Sequence, residues 1–161
     1  MKYYLSSSKN SNNRSNKGYT LLELMVVVSI FSVLLGTSYR GLVIAKENLD
    51  LNRTAHQLEA TLKECQSFAM YTGTYYKVKF QPAINRYQVF RETELINSVM
   101  LENIIIHNVN FTDNEVYFYK TGTPSMGGTI TLKTKNGRKL YVIMTPVTAR
   151  TRISAKPPEN W

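Results

Sequence analysis

Residues 19–36 form a mainly apolar run of eighteen that holds one charged side chain, Glu23. That length is near the lower limit for a helix crossing the hydrocarbon core of a bilayer. Reading on to Ala45 extends the apolar reach, with Arg40 placed where its stem can lie along lipid while its head reaches the interface. The run starts abruptly after Gly18. Residues 1–18 are rich in Ser, Asn and Lys, carry Lys2, Lys9, Arg14 and Lys17, contain no acid and have no hydrophobic centre. A secretory signal places its apolar region before the cleavage site; here the apolar region follows the polar leader. The leader's cations are expected to hold this end on the cytoplasmic side. Glu23 is the anomaly, because a charge in hydrocarbon costs about 2.5–3.5 kcal/mol on insertion scales. A simple N-terminal membrane anchor is the alternative, but it gives Glu23 no purpose.

The 161 residues suit one domain plus an appendage. The net charge of +9 is unevenly spread. Residues 1–18 contribute +4, residues 19–119 hold 8 bases and 10 acids, and residues 120–161 hold 8 bases and only Glu159. A basic end suggests a polyanionic partner, nucleic acid or anionic lipid. The one cysteine, Cys65, excludes an intrachain disulfide. His56 and His107 are far apart, and no zinc-ligand spacing, phosphate loop or nucleophile elbow is present. Nothing in the chain calls for a cofactor, a metal or a small-molecule substrate, and an enzyme is not expected.

Past the apolar run, Leu51, Ala55, Leu58, Leu62, Cys65 and Ala69 recur at steps of 4, 3, 4, 3 and 4, one stripe of a helix. Asn52, Arg53, Gln57, Lys63 and Glu64 occupy other faces, and Glu59 and Lys63 stand at i,i+4 in the favourable order. The pattern predicts one helix from residue 20 to about residue 71, roughly 75–80 Å long at 1.5 Å per residue. Gly73 is its expected C-cap, and Gly36 and Gly41 its soft points. Cys65 reads as a small core residue and His56 as a surface one.

From residue 75 the period becomes two. Residues 75–80 and 86–91 alternate around a turn at 82–85, predicting a hairpin. The stretch 99–109 holds Ile104-Ile105-Ile106, and residues 115–119 are aromatic and β-branched. After a breaker-rich loop at 121–128, residues 129–133 and 139–144 flank Asn136-Gly137, a strong hairpin signal. Residues 147–154 are expected to add a last strand. About seven strands after one long helix predict an α+β fold, the helix packed on an antiparallel β-sheet head. The expected divisions are a leader at 1–18, the membrane-spanning half of the helix at 19–45, its amphipathic half at 46–73, and a β-rich head at 74–161.

Lys17-Gly18-Tyr19-Thr20-Leu21-Leu22-Glu23 resembles the processing site of type IV pilins and pseudopilins. The resemblance implies that a prepilin peptidase removes the leader by cutting between Gly18 and Tyr19, on the cytoplasmic face, and N-methylates Tyr19. The family's usual first residue is Phe; Tyr19 keeps the aromatic ring. It also implies that Glu23 is an assembly residue, its carboxylate pairing with the free N-terminal amine of a neighbouring subunit. A Glu23 that packs on its own amine, or stays protonated, is the alternative. A single-pass protein of the cytoplasmic membrane follows, with its head outside the cytoplasm. Other pilin subunits and an inner-membrane assembly platform are its implied partners, and on assembly it joins an extracytoplasmic pilus or pseudopilus.

A second resemblance lies at the basic end. Gly122-Thr123-Pro124, the two strands flanking Asn136-Gly137-Arg138, and Ala149-Arg150-Thr151-Arg152 are similar to the ending of GspH/FimT-type minor pseudopilins. Many of these end in glycine-arginine-x-arginine; here Ala149 replaces the glycine. The implied role is a minor pilin or pseudopilin of a type IV pilus, a type II secretion system or a DNA-uptake machine. In competence versions the arginines are implicated in DNA binding. Arg150, Arg152, Lys156, Arg138 and Lys139, with Lys133 and Lys135, could contact phosphates. Arg150 and Arg152, at i,i+2 on an expected strand, would share a side, and Tyr141 could stack on bases. A solvated basic face that docks on acidic subunits is the competing reading.

Overall fold

The computed structural model describes residues 19–158, the side chains of Thr37 and Ser38 excepted. The leader with Gly18, and the tail from Glu159, lie outside the described residues. Helix α1 (Leu21–Thr72) runs through Gly36 and Gly41 without interruption. The chain divides into two compact units, Met1–Tyr39 and Arg40–Trp161.

In the second unit, Leu51, Ala55, Leu58, Leu62, Cys65 and Ala69 are all buried, as their spacing requires. The opposite faces of the helix stay in water, and Lys63 Nζ meets Glu59 Oε1 at 2.8 Å. Gly73 stops the helix: at φ 69° it takes the left-handed conformation, and its N–H closes on the Ala69 carbonyl at 3.1 Å. Burial pushes the Cys65 thiol up to about 12, with the nearby Glu64 charge adding to the effect. It is a core residue with little thiolate to react.

Eight strands follow: β1 (Tyr76–Gln81), β2 (Arg86–Arg91), β3 (Glu94–Met100), β4 (Ile104–Val109), β5 (Glu115–Phe118), β6 (Gly128–Thr134), β7 (Lys139–Met144) and β8 (Thr151–Ser154). They form two antiparallel sheets rather than one, in the orders β3-β2-β1-β5 and β4-β6-β7-β8. Alternation sends Tyr76, Val78, Phe80, Tyr87, Val89, Val116 and Phe118 of the first sheet into the same core as Ile104, Ile106, Ile130, Leu132, Leu140, Val142 and Met144 of the second. The helix stripe completes that core.

Two strands differ from the sequence expectation. β3 is not delimited by sequence pattern, because it lies at an edge and six of its seven residues are exposed, leaving no alternation to read. The last strand begins at Thr151, not at residue 147. Val147 and Ala149 have φ of 73° and 53°, which a strand cannot contain. The Thr145 N–H closes on the Arg150 carbonyl at 3.0 Å, so residues 145–150 are the β7–β8 loop. Arg150 therefore precedes the strand that holds Arg152.

Asn85 joins the sheets. It closes the β1–β2 turn at φ 53°, ψ 45°, a left-handed conformation that Asn tolerates. Its amide Nδ2 donates to the carbonyls of Leu101 and, at 2.6 Å, Ile104. Its Oδ1 accepts the Ile106 N–H at 2.7 Å. Its own carbonyl accepts the Leu101 N–H at 2.9 Å. One residue of the first sheet's hairpin thereby pairs the free edge of β4 in the second. Asn85→Ala is expected to destabilise the head by about 2–4 kcal/mol, from the lost hydrogen bonds and the strained backbone. Asn85→Gly should recover roughly 1 kcal/mol of that by relieving the backbone alone. Chemical denaturation measures both, and wild-type stability in either variant contradicts this role.

The far face of the first sheet carries an ionic cluster. Glu115 pairs with Lys79 at 2.6 Å and Lys77 at 3.6 Å, and accepts the Tyr117 hydroxyl at 2.9 Å. Lys77 also sits 4.8 Å from the Phe90 ring centroid. Burial raises the Glu115 carboxyl, but the Lys79 and Tyr117 hydrogen bonds and the Lys77 and Lys79 charges outweigh it, so its pKa lies below the ordinary value. A carboxylate depressed on folding contributes stability above its unfolded pKa, about 4.3 for Glu, and loses it as pH falls through the folded value. The Tm advantage of wild type over Glu115→Gln should therefore be largest near neutrality and shrink below about pH 4. A difference that is flat from pH 7 to pH 3 contradicts this.

Candidate functional site

Among the described residues, the N-terminal unit is the first part of α1, and none of its described side chains is buried. Leu21, Leu22, Leu24, Met25, Val26, Val27, Val28, Ile30, Phe31, Val33, Leu34 and Leu35 are all exposed. The segment is long and apolar enough to cross a membrane by length and composition. Its two described serines turn inward: Ser29 Oγ donates to the Met25 carbonyl at 2.7 Å and Ser32 Oγ to the Val28 carbonyl at 2.8 Å. Such i−4 bonds leave no side-chain donor seeking water, which suits hydrocarbon.

The helix start has a built cap. The Glu23 N–H donates to Thr20 Oγ1 at 3.2 Å, and the Leu24 N–H to the Thr20 carbonyl at 3.2 Å. Thr20 is thus the N-cap, and Glu23 stands at the third helical position. Thr20-Leu21-Leu22-Glu23 has the T-x-x-E spacing of a capping box, a signal legible in the sequence that the motif-based reading passed over. An acid in the first turn is favoured by the helix dipole. Among the described residues, Glu23 has no salt bridge, and Tyr19, just outside the helix, is 84 % exposed.

At the basic end, the β6–β7 turn closes between Thr134 and Arg138. The Thr134 N–H donates to the Arg138 carbonyl at 2.9 Å, and Gly137, at φ 92°, donates to the Thr134 carbonyl at 3.0 Å. Gly137 supplies the positive φ this loop needs. Lys135, Arg138 and Lys139 are exposed around it. The register opposes Lys133 to Lys139, Thr131 to Tyr141 and Thr129 to Ile143. Tyr141 in turn faces Ser154, and Ile143 faces Arg152. Directly opposed residues share a face, so Lys133, Lys139, Tyr141 and Arg152 lie on the side away from the core, with Tyr141 and Arg152 diagonal neighbours. Arg152 is exposed, Lys133 and Tyr141 are half-buried, and Ile143 and the two threonines are buried. Arg150 reaches solvent from the β7–β8 loop, and Lys156 is exposed beyond β8.

Helix and head are also tied near this loop. Gln66 Nε2 donates to the Gly122 carbonyl at 2.8 Å and the Thr148 carbonyl at 3.2 Å. One side chain therefore holds the β5–β6 and β7–β8 loops to α1. Among the described residues, no group of His, Cys, Asp and Glu is arranged to hold a metal.

Residues 13–39 match the family model described as the prokaryotic N-terminal methylation motif. No curated protein matches the chain in sequence. The fold is similar to the minor pseudopilin EpsH from the type 2 secretion system of Vibrio cholerae, with a TM-score of 0.56 at 11 % identity, covering 65 % of this chain and 96 % of that one. It is also similar to the type IV minor pilin FimU of Pseudomonas aeruginosa, with a TM-score of 0.53 at 13 % identity, covering 69 % of this chain and 91 % of that one. The methylation-motif match at the start of the apolar helix and the similarity in fold to a minor pseudopilin and a minor pilin meet in one chain.

Proposed function

We propose that this chain is a minor pilin or pseudopilin, a structural subunit of a type IV pilus or a type II secretion pseudopilus. The observation that carries the reading is an apolar helical segment whose described side chains are exposed, with an acid in its first turn that has no salt bridge among the described residues. Such a surface needs lipid before assembly and neighbouring helices after it. Residues 1–18 are the leader, 19–45 the membrane and assembly half of the helix, 46–73 its amphipathic half and 74–161 the head. A prepilin peptidase cuts between Gly18 and Tyr19, and Tyr19 is methylated. The head lies outside the cytoplasm, and the inner-membrane platform moves the subunit into the fibre.

The new amine and Glu23 supply the assembly contact. Opposite unit charges 4 Å apart attract by about 4 kcal/mol at an effective dielectric of 20, enough to offset the cost of holding Glu23 in an apolar bundle. The Thr20 cap keeps Glu23 in the first turn, where the dipole also favours its charge. Mass spectrometry of membrane-extracted protein should find a methylated Tyr19 as the first residue; a retained leader refutes the processing step. Glu23→Val should insert normally yet be lost from sheared fibres by tenfold or more, as about 1.4 kcal/mol per decade implies. Co-assembly at the wild-type level removes Glu23 from this role.

A second reading, a DNA-binding subunit of an uptake pilus, is favoured by the common face of Lys133, Lys139, Tyr141 and Arg152. Cations flanking an aromatic ring offer phosphate contacts and a stacking surface. Duplex or single-stranded DNA should then shift with the detergent-solubilised protein at low salt, more weakly as salt rises, and not with the Arg150→Ala, Arg152→Ala double variant. No shift even at the lowest salt leaves the structural role alone.

A further inference from the structure

Each edge of a sheet presents a row of backbone N–H and C=O groups that another strand can pair unless something covers them. Two of the head's four edges are covered from within. Along β5, the Ser125 N–H donates to the Tyr117 carbonyl at 2.7 Å, the Tyr117 N–H to Ser125 Oγ at 3.1 Å, and the Tyr119 N–H to the Thr123 carbonyl at 2.9 Å. Along β4, the Asn85 amide pairs Ile104 and Ile106. Among the described residues, the other two edges, β3 and β8, pair only with β2 and β7. Among the described residues, no other hydrogen bond reaches the backbone of either strand.

These open edges carry opposite charges. Residues 92–102 hold Glu92, Glu94 and Glu102, all exposed, and no base. Residues 150–156 hold Arg150, Arg152 and Lys156, all exposed, and no acid. Both segments carry charge at each end, so the signs match in either strand direction. β3 holds neither Pro nor Lys, a bulge at Ile96 interrupts its register with β2 between Val89 and Phe90, and Leu95, Ile96 and Met100 are 48, 52 and 62 % exposed.

We propose that the β3 edge of one copy pairs with the β8 edge of a second copy, joining two heads by strand addition with three carboxylates facing three cations. Like edges are excluded, because β3 on β3 opposes acids and β8 on β8 opposes cations. The joint uses a different surface on each partner, so it propagates along a row of subunits instead of closing as a two-fold dimer. β8 offers only four residues, so the joint is weak alone. It rests on the fibre-subunit reading, in which association of the N-terminal helices raises the local concentration of heads.

Thiol crosslinking of the full chain in assembled membranes tests this. Cys65 is buried and stays protonated, so introduced cysteines report alone. Asn97→Cys and Ala155→Cys place thiols at exposed positions on β3 and just past β8. The double variant should give a ladder, a mixture of the two single variants a dimer, and each single variant alone neither. Glu94→Lys with Glu102→Lys should cut the ladder about tenfold through like-charge repulsion, and adding Arg150→Glu with Arg152→Glu should restore it. Leu35→Cys, in the apolar helix, reports helix association separately. Crosslinking there without a head ladder overturns the strand joint and leaves the fibre reading intact; loss of both overturns both. A ladder equally strong from either single variant, or a crosslink to a chain of another mass in its place, also overturns the pairing.

Discussion

The head depends on one stripe of α1. Leu51, Ala55, Leu58, Leu62, Cys65 and Ala69 share a core with the inner faces of two sheets. Full burial of each leucine is worth about 1.5–3 kcal/mol. Ala55, Cys65 and Ala69 are the small members of the stripe, and Tyr76, Phe80 and Tyr87 are large side chains buried in the same cluster. The stripe supplies the helical layer of that core, so without it the sheet residues it covers would meet water.

The same helix obeys a different rule nearer its start. Between residues 21 and 35 no apolar side chain is buried, and the serines bond to their own helix. That segment is made for a solvent other than water. Glu23 is the exception, and its place in the first turn follows from the Thr20 cap. The cap and the acid act together: one sets where the helix begins, and the other puts a negative charge where the helix dipole favours it.

Strand edges show how one head can be closed in some directions and open in others. Asn85 and the loop after β5 satisfy two edges with hydrogen bonds from within the chain. The remaining two carry the acids of residues 92–102 and the bases of residues 150–156. The charge asymmetry legible in the composition thus acquires a direction across the head. The basic residues are divided between the β8 edge and the far face of the second sheet, where the register sets Tyr141 beside Arg152.

The sequence by itself determined what depends on local periodicity: the stripe at steps of 4 and 3, the C-cap at Gly73, the hairpin around residues 82–85 and the one around Asn136-Gly137, and the apolar run headed by Glu23. These follow from side-chain spacing over a few residues, which one strand of text contains. It did not reveal that the strands divide into two sheets, because pairing is a choice among distant partners. It hid β3, which is exposed on both faces and so has no alternation, and it gave no warning that positive φ at Val147 and Ala149 takes Arg150 out of the last strand. Asn85 looked like an ordinary turn residue. Only the tertiary structure, by bringing Leu101, Ile104 and Ile106 within reach of its amide, made it the link between the sheets.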